Sequence, residues 1–132
     1  MTHAVLADSG PLFAIADEGD AHHDRALRDL SKLSRERREV LVAYPILLET
    51  YSLVLFRLGR RVALQWLSQI VSAAFVNPIP EDHRQAVVRV QVLSDQSITL
   101  VDATVAAIAS RLALQVWTYD HDFDVMRVPV WR

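Results

Sequence analysis

ITLVDATVAAIASRLALQVWTYD, residues 98–120, is the stretch whose reading decides the fold. Val101–Leu114 is apolar at nearly every position and long enough for a buried helix, while Gln115–Tyr119 is a short run of strand-forming residues. A strongly apolar helix that feeds a short buried strand is the repeating unit of a wound α/β sheet. An acid stands at each end of this unit, Asp102 where the helix begins and Asp120 where the strand stops.

The same alternation runs through the rest of the chain. Ala4–Ala7 predicts a buried strand, broken by Gly10-Pro11, with a helix at 12–16 because proline favours the first helical turn. A second helix is predicted from Asp20-Ala21-His22-His23 toward Arg37, with Ala26, Leu27, Leu30 and Leu33 at helical spacing. Val40–Tyr44 predicts the second strand, stopped by Pro45, and helices follow at 46–58 and 61–73 with Gly59 between them. Phe75-Val76-Asn77 predicts a third strand, and 81–93 a helix with Ala86, Val87, Val90 and Leu93 on one face. A short edge strand is predicted at 128–131. The expected architecture is a single domain over residues 1–132, with a central parallel sheet of four to five strands covered by helices on both faces.

Four carboxylates stand in or beside apolar runs with no adjacent lysine or arginine: Asp8, Glu49, Asp102 and Asp120. Burying an unpaired carboxylate costs several kcal/mol, on the order of what is known for buried ions in general. The predicted elements explain how the four can share one place. Asp8 and Asp120 close strands, Glu49 lies in the first turns of the helix after the second strand, and Asp102 opens the helix before the fourth strand. Strand ends and helix starts lie on one edge of a wound sheet, where such folds bind ligands. Oxygen ligands of this kind suit Mg²⁺ or Mn²⁺. Taken singly, Asp8 and Asp102 also read as helix caps and Asp120 as a turn former.

Composition narrows the function classes. With 52% hydrophobic residues the chain can bury a real core. Its apolar segments are interrupted before the length of a membrane span, its start lacks the pattern of a signal peptide, and it has no cysteine. A cytoplasmic location is therefore expected. The net charge is −2, yet the cations are almost all arginine, clustered at Arg35–Arg38 and Arg57–Arg61. Arg57, Arg60, Arg61 and Arg127 are candidates for phosphate contact, with a solvated helix end as the competing reading.

Asp8-Ser9-Gly10-Pro11-Leu12, Asp20-Ala21-His22-His23, Leu47-Leu48-Glu49-Thr50, Thr99-Leu100-Val101-Asp102-Ala103 and Thr118-Tyr119-Asp120-His121-Asp122-Phe123 together resemble the PIN-domain family. In size and architecture the chain is most similar to the VapC-type toxins of bacterial toxin–antitoxin pairs. The resemblance implies a three-layer α/β/α sandwich (PIN-like, Rossmann-like) and Mg²⁺-dependent endoribonuclease activity. It also implies a small antitoxin as partner, and commonly a homodimer. It assigns Asp8, Glu49, Asp102 and Asp120 to the acidic quartet, Ser9 and Thr118 to supporting hydroxyls, and Asp122 to an accessory position. Gly10 offers only backbone at a position where other family members carry a side chain.

The chemistry expected is hydrolysis of an RNA phosphodiester by water activated at one or two divalent ions. Strand ends are rigid, so Asp8 and Asp120 are the expected direct ligands. Glu49 and Asp102 bind directly, bind through water, or orient the nucleophile. The alternative is a PIN-like RNA-binding module or scaffold without catalysis, for which a degraded quartet would be expected. A response-regulator receiver needs a lysine after its last strands, and Lys32 lies far upstream; a haloacid-dehalogenase phosphatase needs Asp-x-Asp, and position 10 is glycine. His22 and His23 are neighbours on a helix, point apart, and read as packing residues rather than zinc ligands. Trp117 reads as core, and Tyr119 as facing away from Asp120 by strand alternation. Leu64, Trp66, Leu67 and Ile70 form an amphipathic helix face, a candidate dimer or antitoxin surface.

Overall fold

The structure, a computed structural model, describes residues 3–132. The chain runs β1 (Val5–Ala7), α1 (Ser9–Ala16), α2 (His23–Arg35), β2 (Val40–Ala43), α3 (Tyr44–Leu58), α4 (Arg60–Ile70) and β3 (Ala74–Val76). It continues through α5 (Pro80–Val92), α6 (Leu100–Leu112), β4 (Gln115–Trp117) and α7 (Asp122–Val125). The four strands pair in parallel in the order β3-β2-β1-β4. Leu6 of β1 lies opposite Leu41 on one side and Val116 on the other.

This order fixes where the helices go. The crossovers β1→β2 and β2→β3 move the same way along the sheet, while β3→β4 returns past β1. Right-handed crossovers therefore put α1–α4 on one face and α5–α6 on the other. The packing agrees: α1 touches α2 and α3, α3 touches α4, and α5, α6 and α7 pack among themselves. The result is a three-layer α/β/α sandwich whose strand order reverses between β1 and β4. At such a point the C-terminal strand ends open into a crevice.

β1 is fully buried, as a central strand covered on both faces must be. α6 is buried continuously from Asp102 to Ala109, and its alanines let it approach both the sheet and α5. Trp117 and Trp131 meet edge to face at 6.4 Å within this core. A smaller cluster forms where Phe13, Val54, Ala63 and Trp66 meet between α1, α3 and α4. Gly59 makes the tight α3–α4 connection at φ +89°, a conformation open to glycine and strained for other residues.

The sequence expectations needed four corrections. The strand predicted at 128–131 is a single parallel bridge, Val116 to Val130; Pro129 has no N–H to extend a ladder. β4 stops at Trp117, because the Thr118 hydroxyl accepts from the Asp120 amide and turns the chain. Val87 is 44% exposed, so Ala86 carries the buried side of α5. Trp66 is buried against α3 rather than available as a surface, since Gly59 folds α4 back onto α3.

Candidate active site

Asp8 leaves β1 and caps α1. Its Oδ1 accepts from the Ser9 amide at 2.8 Å, and its Oδ2 accepts from the Thr118 hydroxyl at 2.8 Å. The Thr118 oxygen in turn accepts from the Asp120 amide at 2.9 Å, so one buried hydroxyl ties the ends of β1 and β4 together. Asp120 then opens the turn into α7, its Oδ1 accepting from the Asp122 amide at 2.9 Å. The cap and turn roles of Asp8 and Asp120 are thus real, but each engages only part of a carboxylate.

Asp102 is not the cap of its helix. Thr99 is, with its hydroxyl accepting from the Asp102 amide at 3.1 Å. That leaves the Asp102 side chain, two residues inside the first turn, to face the sheet edge. Glu49 stands in the second turn of α3, half-buried, with neither a hydrogen bond nor an ion pair from its carboxylate among the described residues.

All four acids line one cavity of about 530 Å³ at the C-terminal edge of the sheet, together with Ser9 and Arg57. Asp122 stands beside two of them: Asp102, Asp120 and Asp122 each bring an oxygen within 4.8 Å of the others. Of the candidate arginines, Arg57 lines this cavity, its guanidinium 5.2 Å over the Phe13 ring. Arg60 and Arg61 sit on the exposed first turn of α4, and Arg127 lines a separate groove beside α5.

The crowding of like charges appears in the acid–base behaviour. Burial pushes Asp8 up to about 6, with Glu49 and Asp120 adding to the rise and the Thr118 and Ser9 hydrogen bonds opposing it. Burial pushes Asp102 to about 7, reinforced by Asp8, Asp120 and Glu49. A group of carboxylates that resists its own ionisation lacks a counter-charge. The donors are all oxygen, the set that hard divalent cations take. The residues present therefore fit such an ion, with Asp102, Asp120 and Asp122 grouped closely enough to hold it and Asp8 and Glu49 on the same cavity.

Sequence reading missed part of this surround. Tyr119 lines the cavity, because strand alternation ends at Trp117. Its hydroxyl donates to Asp29 Oδ2 at 2.7 Å, and burial together with that carboxylate holds its pKa above the usual phenol range. Asp29, on α2, also accepts from Trp117 Nε1 at 3.3 Å; nothing in the sequence marks it among the polar residues of that helix. Thr99 was legible, since Thr99-x-x-Asp102 has the spacing of a helix start. His23 points Nδ1 at the Ala14 carbonyl at 2.7 Å and His22 lies against Tyr119, so the pair packs rather than forming a zinc site.

The sequence pattern of the PIN domain matches residues 5–129. Among curated proteins no relative matches. The fold is similar to that of Mycobacterium tuberculosis VapC20, a toxin that cleaves the sarcin–ricin loop, with a TM-score of 0.85, 23% identity, and coverage of 97% of this chain and 98% of that one. It is similar to VapBC2 from Rickettsia felis, solved bound to a DNA fragment from its promoter, at TM-score 0.77 and 11% identity over 98% of this chain and 97% of that one. It is also similar to FitAcB from Neisseria gonorrhoeae, at TM-score 0.71 and 17% identity over 97% and 96%.

Proposed function

Since the chain belongs to the PIN-domain family, we propose that it is a metal-dependent endoribonuclease, the toxin of a type II toxin–antitoxin pair acting in the cytoplasm. The observation that carries the reading is the convergence of Asp8, Glu49, Asp102 and Asp120 on one cavity, in which Arg57 is the only lysine or arginine among the described residues. A non-catalytic scaffold has no use for so unfavourable a cluster.

Mg²⁺ is the proposed ion, with Mn²⁺ able to replace it. Bound there, a divalent ion neutralises charge building on the phosphoryl oxygens and acidifies water. The chain's residues do the rest. Thr118 and Ser9 fix the Asp8 carboxylate, Asp120 and Asp122 hold each other's geometry, and Glu49 orients the attacking water and accepts its proton. Arg57 is proposed to meet a substrate phosphate at the cavity wall; Arg60, Arg61 and Arg127 are proposed only for outlying parts of the RNA. VapBC2 and FitAcB support a small antitoxin as partner. A homodimer belongs to the same reading and would be seen by sedimentation.

The test is cleavage of ribosomal RNA and of a sarcin–ricin-loop hairpin in Mg²⁺ or Mn²⁺ by the native chain, Asp8→Asn and Asp120→Asn. Each substitution is expected to lower the rate by about a hundredfold or more, at or beyond the upper range for loss of a group supporting a metal site. Equal cleavage by all three proteins would overturn the reading.

A further inference from the structure

A second cavity of about 260 Å³ shares Tyr119, Asp120 and His121 with the acid cavity and is lined besides by Arg25, Asp124 and Arg132. We propose that this notch, built by Arg25, Arg132 and His121, binds a backbone phosphate of the RNA strand adjacent to the one being cleaved. The inference rests on the nuclease reading and extends it to how the strand is held.

Arg25 comes from α2 and lies with its guanidinium 4.2 Å over the Tyr119 ring. Stacking holds the group in place, while its nearest carboxylate, Asp29, stands 3.9 Å away, beyond hydrogen-bonding reach. A planar guanidinium held by an aromatic face with its donors uncommitted is suited to a phosphate. Arg132 reaches the notch from the C-terminal segment and is held by Asp124 at 3.0 Å, with His121 3.5 Å from the same carboxylate. These are exposed, solvent-screened pairs and individually weak, so an incoming phosphate can take over their donors. Tyr119 lines both cavities, with Arg25 over its ring and His22 5.0 Å away on the acid-cavity side, so it serves to hold Arg25 in place. Cationic groups from α2 and the C-terminal segment thus converge on one end of the acid cluster, and Arg57 reaches that cluster separately from α3.

The experiment measures binding apart from cleavage. In an Asp8→Asn background with Mg²⁺, fluorescence anisotropy of a labelled single-stranded RNA is titrated at several KCl concentrations. It compares Arg25→Gln, Arg132→Gln, the pair, and Arg35→Gln as a surface control on α2 away from both cavities. The Arg25→Gln change keeps most of the side-chain stem over Tyr119. Arg132 has no packing role, so its variant reads the site even if the change at Arg25 disturbs the fold. The expected result is binding about five- to tenfold weaker and a salt slope shallower by about 1 for each phosphate contact removed, with Arg35→Gln unchanged. Slopes and affinities equal to the Arg35→Gln control, or no RNA binding by the background protein, would overturn the notch. Failure of the nuclease reading is separate, since it appears as no RNA cleavage by the native chain even where the arginine variants change binding.

Discussion

Thr118 holds the site together with one oxygen atom, donating to Asp8 and accepting from the Asp120 amide. Removing it leaves a buried carboxylate short of a donor and frees the turn that carries Asp120. Thr118→Val is expected to cost about 1–3 kcal/mol, the range for leaving a buried polar group unsatisfied. RNA cleavage is expected to fall about 10- to 100-fold, as when a metal ligand loses the group that orients it. Thr118→Ser, which keeps the hydroxyl, should restore most of both. Urea melts and initial rates on the three proteins decide the matter, and native rates in the valine variant would count against the orienting role. The hydroxyl itself was legible through the family resemblance; that it bonds the Asp8 carboxylate and the Asp120 amide at once depends on β1 and β4 being neighbours.

The elements are fastened away from the site. Asp82, 1% exposed, accepts from the Ile79 amide at 2.9 Å and so caps α5; it also takes both Nε and Nη2 of Arg111 on α6 at 2.9 Å. Burial pushes the Asp82 carboxyl upward, but the Arg111 guanidinium and the Ile79 amide outweigh it and hold it below its ordinary value. α6 carries Asp102 at its start, so this clamp fixes the helix that presents an acid to the cavity. Asp82→Ala leaves a partly exposed guanidinium without its partner and uncaps α5, and is expected to lower stability by about 1–2 kcal/mol, the range for loss of a helix cap. The urea midpoint should fall accordingly; a shift below what about 1 kcal/mol would give means the clamp is no stronger than a surface pair.

For the whole molecule, folding forces like charges together. Asp8 and Asp102 have folded pKa values of about 6 and about 7, above the unfolded value of about 3.9. The folded chain therefore binds more protons than the unfolded chain between those limits. Without metal, the stability tied to these groups is fully present below about pH 4 and is lost as pH rises through about 6 to 7. Melts in EDTA should fall by at least about 5 °C between pH 5 and pH 7.5, less so in Asp102→Asn. Mn²⁺ at 100 times its apparent dissociation constant should return about 2.7 kcal/mol, and a fixed Mn²⁺ concentration should stabilise more at the higher pH, where protons no longer compete. A metal-free melting temperature that rises across this interval would contradict the crowding.

The sequence by itself determined the alternation of helix and strand, the burial of β1 and α6, and the four acids placed at strand ends and helix starts. These are local properties, fixed by apolar runs, by glycine and proline breaks, and by the chemistry of isolated carboxylates. Tertiary structure alone decided which strands adjoin, and hence that Asp8 and Asp120 share Thr118. It also put Tyr119 on the cavity wall, buried Trp66, and paired Asp82 with Arg111 across 29 positions. Contacts between residues distant in sequence depend on strand order and helix packing, which no local pattern encodes.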